Sequence, residues 1–315
     1  MRIITAAILA LLLFPGGFSW AADGPIRIGA NLWPGYEPLF LAGRLYDWSG
    51  QSLARVKEYP STSEVMTALK GGQIDAAGVT LDEALLLFQE GIKIKIILVL
   101  DHSNGGDALL ARPELTTMQH LKGKRVAVEN DALGGYMLRR ALETAGMRKD
   151  EIKPEHKDMD QHEKAYKNGD VDAVVTFEPV RTKLLALGAR ELFSSAQIPG
   201  EISDVLVIRE ETMAQHADAI QKIVADWFRA VDYMNQNRDE VMNKFGQRMN
   251  LTARESRAAF DGLKIPSLDD NRLLLAGPNP ALKKPMLMVM RGMVESSRFA
   301  KPKPLGNIIT GEYLP

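Results

Sequence analysis

Residues Ile26 to Ala42 read IRIGANLWPGYEPLFLA. A short apolar alternation of Ile26, Ile28 and Ala30 stops at Asn31. A Trp-Pro-Gly-Tyr-Glu turn follows, and then an apolar run with helical spacing. Strand, turn and helix in this order is how an open α/β sheet builds a ligand site, because ligands lie outside the carboxyl ends of the strands. The turn carries two aromatic residues (Trp33, Tyr36), a rigid and a permissive residue (Pro34, Gly35), and a carboxylate, Glu37, where the helix begins. A surface loop with its Trp packed on a neighbour would account for Trp33 alone, but not for the cluster.

Working outward towards the N-terminus, the chain opens like a secretion signal. Arg2 supplies the positive charge, and Ile3 to Phe14 is an apolar core too short to span a bilayer. Pro15, Gly16 and Gly17 break it, and Ser19-Trp20-Ala21 places small residues where signal peptidase reads them. Cleavage after Ala21 is expected, with residues 1–21 removed. The chain has no Cys, so no lipid can be attached through a cysteine, and disulfide or thiol chemistry is excluded. The remaining 294 residues carry 38 basic and 40 acidic groups, a formal net charge of −2. That balance argues against nucleic acid as a partner, since such binding normally needs a basic surface.

Working outward towards the C-terminus, strand-like and helix-like segments alternate. Arg55 to Tyr59, Ile74 to Val79, Ile92 to Leu100, Arg125 to Val128 and Val171 to Val175 read as strands. Ser61-Thr62-Ser63-Glu64 and Thr80-Leu81-Asp82-Glu83 have capping-box spacing and open helices, and Pro179 suits the start of another. Such alternation predicts parallel sheets covered by helices. Two polar, Gly-containing passages, DHSNGGDALL at 101–110 and IPGEISDVLVI at 198–208, break the alternation. They read as a chain that leaves one lobe and returns. One lobe would combine 25–105 with 204–315, and the other would be 106–203. Beyond Thr212 the pattern is helical, and the Met residues at 286, 288, 290 and 293 read as core filler.

NLWPGYEPLFLA, IDAAGVTLDE, DHSNGGDALLA, VAVENDALGGYMLRRAL, VDAVVTFEPV and the closing Leu-Pro together resemble one family. It is the nitrate/sulfonate/taurine group of solute-binding proteins of ABC importers, which includes binders of the thiamine pyrimidine precursor. The likeness runs nearly end to end through the chain after residue 21. It implies an α/β fold of the type II periplasmic binding protein class, with two lobes on a two-segment hinge that close on a ligand. It further implies a periplasmic monomer whose partners are a small molecule and an ABC permease in the inner membrane, with no cofactor, no metal and no catalysis. A sensor input that docks on a membrane receptor, or a periplasmic enzyme on the same fold, are the alternatives. The enzyme reading has little to draw on: His162-Glu163 begins like a zinc-protease motif, but Tyr166 stands where the second His belongs. His156 and His162 read as surface residues.

The resemblance places the ligand at strand C-termini and helix N-termini, which offer free N–H groups and partial positive charge. The candidate ligand-binding residues are then Trp33, Tyr36, Glu37, Ser61, Thr62, Thr80, Asp101, Asn104, Asp107, Glu129, Asn130, Tyr136, Thr176, Glu178 and Asp204. Ser61 and Thr80 double as helix caps. Acids outnumber bases at these corners, where the only basic candidates are Arg139, Arg140 and Arg181. Carboxylates suit an amine, an amidine or a ring N–H, and Trp33 and Tyr36 offer faces to a flat ring or cation. Asp82 and Asp131 are read as helix caps, so the argument for such a ligand leans on Glu37, Asp107, Glu129 and Glu178.

Overall fold

The computed structural model describes residues 24–129, 132–295 and 301–315. Its strands, in chain order, are β1 (Ile26–Asn31), β2 (Ala54–Tyr59), β3 (Ala76–Thr80), β4 (Ile94–Ser103), β5 (Asp107–Ala111), β6 (Arg125–Val128), β7 (Lys153–His156), β8 (Ala173–Phe177), β9 (Arg190–Ser194), β10 (Ser203–Arg209) and β11 (Leu263–Lys264). They form two sheets. The first has the order β11-β4-β10-β3-β1-β2, and the second β7-β6-β8-β5-β9. The first sheet thus takes its strands from before residue 104 and after residue 202, and the second takes those in between. This is the two-lobe α/β fold of type II periplasmic binding proteins.

Neither sheet is purely parallel. β1 runs parallel to β2 and β3, but β10 runs antiparallel to both β3 and β4. In the second sheet β6 is parallel to β7 and β8, whereas β5 is antiparallel to β8 and β9. The alternation of elements predicted parallel pairing throughout, and the crossings explain the exception. β4 leaves the first sheet at its C-terminal end, and β10 enters the sheet at its N-terminal end. Ser203 stands opposite His102, so the two strands share the end that faces the other lobe and must run in opposite directions. β5 enters the second sheet with Asp107 opposite Phe177, the last residue of β8, for the same reason.

The two crossings are tied to each other. Ser195 Oγ accepts the Gly105 N–H at 2.7 Å and lies 2.8 Å from Ser103 Oγ. Gly105 has φ +117, a conformation that side chains other than glycine's rarely adopt. The amides of Asn104 and Gly106 both donate to the Gly262 carbonyl, at 2.8 and 3.1 Å.

β4 is apolar and fully buried from Ile96 to Leu100, as a central strand should be. Its outer edge is covered in three pieces. The C-terminal tail pairs Ile309 with Ile96, β11 pairs with Ser103 and His102, and between them the Asn271 side chain takes the Val99 backbone. Asn271 Oδ1 accepts the Val99 N–H at 2.8 Å, and its Nδ2 donates to the Val99 carbonyl at 3.1 Å. An edge left bare would be a template for non-native pairing. Asn271→Ala orphans both backbone groups, so it is expected to lower stability by about 1–3 kcal/mol in urea unfolding, the cost of buried unsatisfied amides.

In the Met-rich helix Lys283–Glu295, Met286, Met290 and Met293 are buried, but Met288 faces solvent with Leu287. Core filler therefore describes three of these methionines and not the fourth. Among the described residues no helix is long and apolar enough to cross a membrane.

Candidate ligand-binding cleft

The turn after β1 holds its shape because it lacks side chains where the chain is crowded. A Cβ on Gly35 would collide with the Asp101 carboxylate, so only glycine lets Trp33 and Tyr36 stand on either side of that acid. Trp33 Nε1 donates to Asp101 Oδ2 at 3.0 Å. Tyr36 donates its hydroxyl proton to Asp204 Oδ1 in a short hydrogen bond. Asp101 and Asp204 are register partners on β4 and β10, and each acts on the other's ionisation.

A space of about 250 Å³, part open to solvent, lies between the lobes. From the first lobe it is lined by Asn31, Trp33, Tyr36, Thr62, Thr80 and Asp204. From the second it is lined by Asp107 at the start of β5, Phe177 at the end of β8, and Leu133 in the first turn of the helix Ala132–Thr144. Trp33 closes the floor across both lobes. Its ring meets Phe177 edge to face, with centroids 5.8 Å apart and planes at 80°. Gly106 makes room, because a Cβ there would stand 2.7 Å from the indole.

The acids of the cleft are held in protonatable form. Burial pushes the Asp101 carboxyl up to about 7, against smaller pulls the other way from Trp33 and Asp204. Burial, then the neighbouring Asp101, raises Asp204 well above the usual carboxylate range. Burial pushes Asp107 up to about 7 as well, helped by the charges of Asp101, Asp82 and Glu178. Tyr36 is raised well above its ordinary value by burial and by Asp204. A carboxyl taken out of water without a cationic partner keeps its proton.

Several residues singled out in the sequence are placed otherwise. Of the four carboxylates on which the ligand argument leaned, only Asp107 lines the space. Glu37 is ion-paired with Arg248, whose guanidinium also meets Glu58 and lies over the Phe40 ring. Glu178 turns back onto its own helix, accepting from Arg181 at 2.9 Å and from the Thr182 amide and hydroxyl at 3.1 and 3.0 Å. Glu129 accepts the Met159 amide at 3.1 Å. Ser61 caps the helix Thr62–Lys70 through the Glu64 amide, and Thr176 meets His162 at 3.1 Å. Tyr136 donates to Glu201 at 2.6 Å. Asn104 belongs to the crossing and is held through its amide. Asn130 and Asp131 lie outside the described residues. Asp82 accepts the Thr80 hydroxyl at 2.6 Å, and Glu83 accepts the Thr80 amide at 2.8 Å, so both serve the start of the helix Leu81–Gln89.

The basic candidates also have partners away from the space. Arg139 and Arg140 pair with Glu143, Arg140 also with Glu201, and Arg181 with Glu178 and Glu191. His162 is not a surface residue. It is fully buried between Thr176 Oγ1 and the Lys157 carbonyl, and burial lowers it to about 4. Asn31, Leu133 and Phe177 were not singled out. Asn31 had a signal, since it ends the apolar run of β1.

Comparison with known proteins agrees with this architecture. Residues 21–245 match the model of the NMT1-like family, and the chain belongs to that family. A Brucella abortus protein described as a binding protein is 27% identical over 246 residues, covering 76% of each chain. The alkanesulfonate-binding protein SsuA of Xanthomonas axonopodis, solved with MOPS bound, is similar in structure. Its TM-score is 0.74 at 17% identity, with 93% of this chain and 97% of that one covered. The ligand-binding component of an ABC-type import system from Staphylococcus aureus, solved with zinc, gives a TM-score of 0.77 at 15% identity, covering 92% and 98%.

Proposed function

We propose that the protein is the periplasmic solute-binding component of an ABC importer. It captures a small polar nitrogen- or sulfur-containing organic molecule between its lobes and presents it to an inner-membrane permease, with no chemistry of its own. After cleavage behind Ala21 it works as a monomer, with residues 106–203 moving against 25–105 plus 204–315. One observation carries this reading: a space lined from both sheets, with one aromatic contact, Trp33 on Phe177, made across it. A site assembled from two lobes exists only when they close, which is the hinge mechanism of a ligand trap. That an alkanesulfonate-binding protein and the ligand-binding component of an ABC-type import system share this fold supports the same role.

The test has two stages. A thermal-shift screen of the protein without residues 1–21 finds a stabilising solute, since a ligand that binds only the native state raises the melting temperature. Small-angle scattering with that solute should then show a smaller radius of gyration than without it. Trp33 emission should change in parallel, because Trp48 and Trp227 are buried in the first lobe's core and do not line the cleft. An unchanged radius of gyration with bound solute would reject the trap.

A further inference from the structure

The polar lining of the cleft is one-sided. Among the described residues that line it there is no lysine, arginine or histidine. Two acceptors face it without a partner. Asn31 Oδ1, 3% exposed at the end of β1, and Asp107 Oδ2, 2% exposed at the start of β5, make no hydrogen bond. They come from different lobes and line one space. Buried polar atoms in native proteins are almost always bonded, so two orphan acceptors converging from opposite sides call for a ligand that brings donors to both. Asp204 adds a second carboxyl, of which one oxygen is already taken by Tyr36. The other lining residues are the apolar Trp33, Phe177 and Leu133 and the polar Tyr36, Thr62 and Thr80.

We propose that the cleft recognises a small organic cation, an ammonium or amidinium on a compact apolar or ring-shaped body, whose N–H groups reach Asn31, Asp107 and Asp204. This rests on the reading of the protein as a solute trap and names the solute's chemistry. An anion would meet carboxyl groups from both lobes and, among the described residues, no cationic side chain, only the helix starts at Thr62 and Thr80. A charged N–H donor gains short, charge-assisted bonds to the same groups. The aromatic walls favour the same choice, because ring faces attract cations and shelter the apolar remainder.

The test uses defined probes on the protein without residues 1–21. Benzylammonium and benzamidinium are the cations, benzyl alcohol and benzamide their neutral counterparts, and benzenesulfonate, ethanesulfonate and nitrate the anions. Thermal shift followed by calorimetry should show stabilisation by at least one cation, at least tenfold weaker binding of its neutral counterpart, and no binding of the anions. Asp107→Asn, nearly the same in shape, should lower cation affinity tenfold or more while its own melting temperature is unchanged or higher. Binding of an anion without a cation, or cation binding untouched by Asp107→Asn, overturns the proposal. Silence across the whole panel overturns it too, and leaves the solute-trap reading to stand or fall on closure with a hit from the broad screen.

Discussion

At pH 8 the Asp107→Asn protein is expected to unfold at a clearly higher urea concentration than the wild type, although it binds its solute worse. The carboxyl of Asp107 is pushed from its ordinary 3.8 up to about 7, chiefly by burial. Every charged group named as facing it is another acid: Asp101 on β4, Asp82 in the first turn after β3, and Glu178 beyond β8. Ser103 alone favours the ionised form. Below the unfolded value both states hold the proton and the side chain costs nothing. Between about pH 4 and 7 the unfolded chain has given up the proton and the folded one has not, so wild-type stability falls as pH rises. Above about 7 the loss is complete and the curve is flat. At about 1.4 kcal/mol per tenfold, that interval amounts to on the order of 4 kcal/mol. Asparagine cannot ionise, so the variant should escape this fall. Urea unfolding of both proteins at pH 4, 6 and 8 decides the matter: two curves that stay parallel would mean that Asp107 is ionised in the empty cleft. The same linkage predicts that an added cation releases protons near neutral pH, visible in calorimetry as a dependence on buffer.

Trp33→Ala should be the most damaging single truncation in the cleft, by about 3–5 kcal/mol, the usual loss for a large aromatic removed from a packed site. The sequence alone offers the Trp33 indole as a face for a flat ring or cation, with little loss of stability on its removal if it lay in an open cleft. Trp33 is 4% exposed, packs on Phe177 of the other lobe, and satisfies Asp101. Its loss empties the floor of the cleft and leaves a buried carboxyl without its donor. Trp33→Phe separates the two effects: it keeps most of the packing and forfeits the indole bond, worth about 1 kcal/mol. Urea unfolding of the three proteins should rank them wild type, Phe, Ala. An alanine variant as stable as the wild type would put Trp33 back in an open cleft.

Much of the element order was legible because strands and caps are local, although β7, β9 and β11 were not read. The corner at 31–37 follows from apolar period and turn chemistry, and the helix caps at Ser61 and Thr80 from four residues each, although only 80–83 forms the full capping box. The strand directions were not, because antiparallel β5 and β10 follow from where the chain crosses between lobes. The acids divide along the same line. Glu37 finds Arg248 more than two hundred positions away, a pairing that no local pattern announces. Glu178 and Arg181 are three apart at a helix start, and that spacing did announce a partner. His162 also had a signal: Met159, His162, Ala165 and Tyr166 form the buried stripe of one helix, a period that outweighs the polar composition around it.

Asp101 and Asp204 stand opposite each other on β4 and β10, within a few residues of where both strands leave for the other lobe. If the lobes turn about these crossings, as proposed above, the acids at the bottom of the cleft sit on the pivot itself. In a machine whose sensor is remote from its axle, a linkage must carry the signal between them. Under that proposal the axle does the sensing: ionising one member of this pair would set it against the other across the two strands about which the lobes turn.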